Sequence, residues 1–258
     1  MSSCVKEGFD LKESDKNRSF RRLFYFYLER YLLNKHFRCV MMKGTIDPKE
    51  KHPVLYLANH SSWWDGLIIF LLIEQMSELD HAMMMEEKQL KQYAFFQKLG
   101  AFPVHKEKLK SVKQALMTAK EKMEAGGGVW LFPQGKIMHQ DTRPLELEGG
   151  ASFLVRQFEQ VVIKPVTLHY TFNQFQKPTV SVEFGEDVLV AGGSLRSKEV
   201  TSLLGDLLET QLNAHQAQVI ADPDFSTNEQ FRQVTRTSRS TSDAFDSFKK
   251  WVKTWRSS

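Results

Sequence analysis

Short apolar runs of strand formers alternate with helix-length stretches along most of this chain, and that alternation restricts the fold more than any other feature. Val54-Leu55-Tyr56-Leu57-Ala58 is one such run, ended abruptly by Asn59-His60. An apolar helix is predicted over Asp65–Met76, a strand over 81–85, a helix over 87–98, an extended piece over Ala101–Val104 and a helix over Leu109–Glu124. Gly126-Gly127-Gly128 stops the last of these, as helix-ending glycines do. A strand over 129–132 ends at Pro133, and a polar loop runs on through Pro144. A helix over 149–158, strands over 161–168 and Thr179–Phe184, and a long helix over 198–219 complete the body. The alternation implies an α/β domain, one sheet with helices packed on both faces.

With 258 residues, 41% of them hydrophobic, the chain is long enough for one substantial domain with a modest appendage at either end. The formal charge of +4 is too small and too dispersed to indicate a nucleic-acid partner. Cys4 and Cys39 show neither metal-ligand spacing nor a framework of pairs, which suggests a reducing compartment and a cytoplasmic location. Residues 1–17 are polar, aperiodic and expected to be poorly ordered, and they carry charges where an export signal needs an apolar run. The most apolar window, 66–73, is far shorter than the roughly 18 residues of a spanning helix, so any membrane contact is expected to be peripheral.

Two segments suit that contact. Within residues 18–38, large residues recur at helical spacing at Phe20, Leu23, Phe24, Tyr27, Leu28 and Tyr31, with Arg18, Arg21, Arg22, Arg30, Lys35 and Arg38 in or beside them. Residues 221–258 form a Ser/Thr/Arg-rich linker and a second amphipathic helix, with Phe245, Phe248, Trp251, Val252 and Trp255 on one face and Lys249, Lys250, Lys253 and Arg256 on or beside the other. Each can dock on an anionic membrane surface or pack its aromatic face on the domain.

The stretch Asn59-His60-Ser61-Ser62-Trp63-Trp64-Asp65 puts an imidazole after a strand and a carboxylate five residues on, where a helix begins. A carboxylate accepting the Nδ1 proton of His60 fixes the tautomer and leaves Nε2 free to take a proton from a hydroxyl. Taken alone, the pair reads equally well as a loop cap and a helix N-terminal carboxylate. Trp63 and Trp64 suit either a lipid groove or the core. His81, His105, His139 and His169 form no recognisable ligand set, so neither metal nor cofactor is expected.

The Asn-His-x-x-x-x-Asp motif resembles the first motif of the glycerolipid acyltransferase family, which includes the lysophosphatidic acid acyltransferases. The family's later blocks have counterparts in the same order: Gly100-Ala101-Phe102-Pro103-Val104-His105-Lys106, then Phe132-Pro133-Gln134-Gly135-Lys136-Ile137, then Ile163-Lys164-Pro165-Val166. The resemblance implies an acyltransferase domain over residues 39–220 with a mixed, mostly parallel sheet. It implies that His60 is general base and Asp65 its orienting partner, and that a lipid hydroxyl attacks the thioester of acyl-CoA or acyl-carrier protein without an acyl-enzyme. Asn59, Phe102, Lys106, Pro133, Gln134, Gly135, Lys136 and Arg143 are the substrate-binding candidates, with backbone N–H groups near the Gly135 turn facing the oxyanion.

The chain departs from the family in its third block. Gln134 stands where the family has a glutamate and Ile137 where it has a phosphate-binding arginine. Gln134 hydrogen-bonds without charge, and Ile137 cannot hold phosphate, which leaves Lys106, Lys136 and Arg143 as cations or as solvated loop charges. The expected acceptor therefore moves from glycerol phosphate towards a lysophospholipid, glycolipid or other lipid alcohol, acylated at the inner face of the cell membrane. A non-catalytic lipid binder of the same fold and an acyl-thioester hydrolase are the alternatives.

Overall fold

The computed structural model describes residues 17–238 together with Thr241, Phe245, Lys249 and Trp255. Of the segment expected to be poorly ordered, residues 1–16 lie outside this description, as does most of the expected C-terminal helix. The Asn17 side chain accepts a hydrogen bond from Phe20 N at 2.9 Å and caps α1 (Arg18–Tyr27). A π-helical turn over Leu28–Leu33 and α2 (Asn34–His36) extend α1.

The body alternates as the sequence predicts: β1 (Val40–Lys43), β2 (Val54–Ala58), α3 (Asp65–Met76), β3 (His81–Glu86), α4 (Glu87–Gln92), α5 (Phe95–Leu99), β4 (Ala101–Val104), α6 (Leu109–Glu124), β5 (Gly128–Leu131), α7 (Gly149–Val155), β6 (Val161–Thr171), β7 (Thr179–Phe184), β8 (Val188–Val190), α8 (Ser197–Ala221) and β9 (Arg232–Gln233). The single helix expected over 87–98 is two, broken where Tyr93 leaves helical geometry at φ −121°, ψ 60°. Strands β1, β8 and β9 went unpredicted, because two to four residues are too few to show a period.

The strand order is β4-β3-β5-β2-β6-β7-β1-β9, with β8 added to β6. Strands β4, β3, β5, β2 and β6 run parallel, while the β6–β7 pairing is antiparallel. This is the mixed, mostly parallel α/β sheet that the resemblance implied. Helices cover both faces, so alternate residues of a central strand enter different cores. Val54, Tyr56 and Ala58 of β2 meet α3, whereas Leu55 and Leu57 meet α6, α7 and α8. Near-continuous apolar strands follow from burial on both sides.

One side of α1 packs on the domain. Phe24 packs 5.7 Å from the Phe70 ring and 5.1 Å from that of Phe95, and Arg21 Nε donates to Glu74 at 2.9 Å. Leu23, Phe26, Tyr27 and Tyr31 face outward.

On the inward side of α8, His215 is fully enclosed between Thr167 and Ser181, with Nδ1 2.9 Å from Thr167 Oγ1 and Nε2 2.8 Å from Ser181 Oγ. Burial, foremost, pushes its pKa down to about 3, against 6.5 for a free imidazole. Below pH 6.5 the unfolded chain therefore binds a proton that the folded chain refuses. The stability from this residue is complete above pH 6.5 and is lost as pH falls towards 3, at up to about 1.4 kcal/mol per pH unit. Denaturant unfolding at pH 7 and pH 5 should show this loss, and His215→Gln should flatten it; an unchanged slope in the variant would refute the assignment.

Candidate active site

The parallel strands end together on one side of the sheet, the usual place for ligands in open α/β folds. There β2 gives way to Asn59. Its side chain pairs with the backbone of Leu168 in both directions, Nδ2 to Leu168 O at 3.0 Å and Leu168 N to Oδ1 at 2.7 Å. Asn59 thus fastens the strand end to β6 and fixes where the next residue projects.

That residue is His60. Its Nδ1 lies 2.8 Å from Asp65 Oδ2, and its ring stacks on Phe132 with centroids 4.2 Å apart and planes 20° from parallel. The Asp65 side chain is fully buried at the first residue of α3, whereas that of His60 is 18% exposed. The same Oδ2 accepts from Ser61 N at 2.7 Å and Ser62 N at 2.9 Å, and Oδ1 accepts from the Tyr170 hydroxyl at 2.5 Å. The 59–64 loop folds around the carboxylate, which therefore does more than cap a helix. With Nδ1 occupied, His60 Nε2 has no hydrogen-bond partner among the described residues.

The loop after β5 forms the other wall. Gln134 is buried, and its Oε1 accepts from His60 N at 2.7 Å; Met138 N donates to His60 O at 2.9 Å. That bond identifies the amide oxygen and leaves Nε2 as an uncharged donor. Gly135 takes φ +67°, a conformation that side chains rarely adopt, and a Cβ there would meet Glu148 Cγ at 3.0 Å. Lys106, in the turn after β4, reaches across to donate to Gly135 O and lies 3.5 Å from Glu86 Oε2.

The expected site residues thus take different positions. Asn59, Gln134 and Gly135 shape the loops on either side of His60, and Pro133 is buried next to Gln134, its carbonyl accepting from Glu148 N at 2.8 Å. Lys106 is spent on the loop and on Glu86, whereas Lys136 is exposed with no ion pair among the described residues. Phe102 is enclosed in the core formed with α6. Arg143 turns to α8, donating to Asn213 Oδ1 at 2.7 Å and to the carbonyls of Gln140 and Thr142. Phe102 and Arg143 make no hydrogen bond or ring contact with His60 or Asp65.

Trp63 is 42% exposed beside the site and meets Tyr93 edge-on at 5.7 Å, while Trp64 packs on Phe37. A hollow of about 30 Å³ lies between α3 and the β3–β5 strands, starting at Gly66 and lined by Phe70, Ile73, Met83 and Phe96. It has room for little more than one water-sized group. No group of three or more His, Cys, Asp and Glu with metal-binding geometry occurs among the described residues.

Tyr170 carries no signal in the sequence that would place it here. It lies 105 residues beyond Asp65, and only the pairing of β6 beside β2 brings its hydroxyl to that carboxylate.

Among solved structures, the fold is similar to that of the 1-acyl-sn-glycerophosphate (LPA) acyltransferase PlsC from Thermotoga maritima. The TM-score is 0.53 with 14% sequence identity, over 76% of this chain and 81% of that one. At such identity the likeness concerns the fold alone. No curated protein gives a significant sequence match. The Acyltransferase family model matches residues 39–169, which is half of the chain and runs from β1 through the His60–Asp65 pair and the loop beside it into β6, and this protein therefore belongs to the acyltransferase family.

Proposed function

We propose that the protein transfers a fatty acyl group from acyl-CoA or acyl-carrier protein to a hydroxyl of a lysophospholipid or related lipid alcohol. The observation that carries this reading is a histidine held through Nδ1 by a wholly buried carboxylate, with Nε2 left for substrate. Nε2 takes the proton as the hydroxyl oxygen bonds to the thioester carbonyl carbon. The tetrahedral intermediate then collapses, the C–S bond breaks, and the imidazolium returns the proton to the departing thiolate. Asp65 supplies the charge that stabilises the imidazolium between those steps.

Which lipid accepts the acyl group depends on the loop after β5. The family's arginine position holds Ile137, 46% exposed, and Arg143 is engaged with α8, so Lys136 is the cation left to meet a headgroup. Lysine binds as a point charge without the two-pronged grip of arginine on phosphate. The Gln134 amide is uncharged and suits an uncharged oxygen. Both features favour a lipid alcohol over a terminal phosphate monoester. The test is transfer of a labelled acyl chain, from CoA and from carrier protein, to lysophosphatidic acid, lysophospholipids, glycolipids and simple alcohols. Label in free fatty acid without any acceptor would identify a hydrolase instead, and an intact thioester with every acceptor would identify a binder.

The outward face of α1 and its π-helical extension suits docking on an anionic bilayer. Leu23 is 69% exposed and Tyr31 54%, while Arg18, Arg22, Arg30 and Lys35 are exposed around them. No helix of the described residues is long and apolar enough to cross a membrane. Replacing Leu23 and Phe26 together by glutamate is expected to reduce co-sedimentation with phosphatidylglycerol-containing vesicles at least tenfold, since each change removes apolar contact and adds repulsion. Undiminished binding would count against this face as the contact.

A further inference from the structure

The two oxygens of Asp65 are held from opposite directions. Oδ2 takes three donors from its own loop, namely His60 Nδ1, Ser61 N and Ser62 N, and among the described residues Oδ1 takes only the Tyr170 hydroxyl. The last torsion of an aspartate is broad, so donors crowded on one oxygen define the carboxylate plane poorly, and an enclosed oxygen left alone is costly. Tyr170 answers both needs. Burial, aided by the Asp65 charge, raises its phenol well above the ordinary range, and the proton therefore stays on Tyr170.

Tyr170 is itself anchored by the loop that flanks His60. Its backbone pairs in both directions with the Gln140 side chain, Tyr170 N to Oε1 at 3.0 Å and Nε2 to Tyr170 O at 3.1 Å. Six residues earlier Gln134 accepts from His60 N, and Met138 N donates to His60 O. A closed circuit results: Asp65 to His60, His60 to the 134–140 loop, Gln140 to Tyr170, and Tyr170 back to Asp65.

We propose that Tyr170 is a positioning residue for acyl transfer, its hydroxyl setting the Asp65 carboxylate so that Oδ2 faces His60 Nδ1, and its backbone tying the pair to the substrate-facing loop. This rests on the reading of His60 as general base. The chemistry does not pass through Tyr170, which touches Asp65 and not the substrate. Among the described residues, His60 and Tyr170 are the ionisable side chains hydrogen-bonded to Asp65.

Tyr170→Phe keeps the ring and its 6.0 Å contact with Phe37, and removes one oxygen. The expected result is a kcat lowered about tenfold with KM unchanged, the loss of one hydrogen bond to a charged group. Without the phenol, Asp65 holds the His60 N–H proton more strongly and favours the protonated, inactive imidazole. The acidic limb of the rate profile should therefore move up by about half a pH unit. In an Asp65→Asn background the same change should alter kcat less than twofold, because the charge it orients is gone. A merely structural tyrosine would lower the melting temperature and leave both the limb and this coupling unmoved, which overturns the inference, as does wild-type kcat. Should Tyr170→Phe fold poorly, Gln140→Ala tests the other half of the circuit and is expected to lower kcat several-fold, wild-type kcat again overturning it. His60→Ala assayed alongside separates the two readings: full activity there overturns both, whereas an inactive His60→Ala beside a wild-type Tyr170→Phe overturns only the role of Tyr170.

Discussion

His60→Ala is expected to lower kcat for acyl transfer about 10³-fold, the middle of the range that a positioned general base contributes. The fold should survive, because the bonds that hold this residue in its loop are made by its backbone. His60 N donates to Gln134 and His60 O accepts from Met138 N, and alanine keeps both. The lost ring is partly exposed and leaves no deep cavity, although Asp65 loses one of four donors. Initial rates with a labelled acyl thioester, beside melting curves of both proteins, measure the effect. A folded variant within tenfold of the parent would remove His60 from the chemistry.

Asp65→Asn isolates the charge. With its amide oxygen in the place of Oδ2, asparagine can still accept from His60, Ser61 and Ser62, and its NH₂ can donate to a Tyr170 hydroxyl turned to accept. What disappears is the negative charge about 4 Å from the imidazolium, worth on the order of 4 kcal/mol at the effective dielectric of partly buried sites. The expected loss is therefore about 10²- to 10³-fold in kcat, with little change in KM, since the substrate meets Nε2 and not the carboxylate. A large rise in KM with kcat preserved would mean that Asp65 shapes the binding site and does not assist the base.

The strength of the local signals explains how far the fold was legible. β2, α3, α6 and α8 have long or pure patterns, and their predicted extents agree with the structure to within two residues. β1 has four residues and few local cues, and it is a strand because β7 and β9 supply its hydrogen bonds. The break at Tyr93 leaves the surrounding helix-forming composition unchanged, so only packing against β3 and β4 reveals it. At the site, His60 and Asp65 share one seven-residue motif, close enough in the chain for their spacing to announce a bond. Gln134 stood out as a departure from the family, but its bond to His60 N depends on two strand ends lying side by side.

The order of strands and helices, and the presence of one imidazole and one carboxylate after the same strand, are properties of the chain alone, because local periodicity and short-range spacing need no partners. The sheet's lateral order is not local, and it decided the rest. It brought Tyr170 to Asp65, enclosed Phe102 in the core and set Arg143 against α8, since hydrogen bonding between strands joins residues a hundred positions apart.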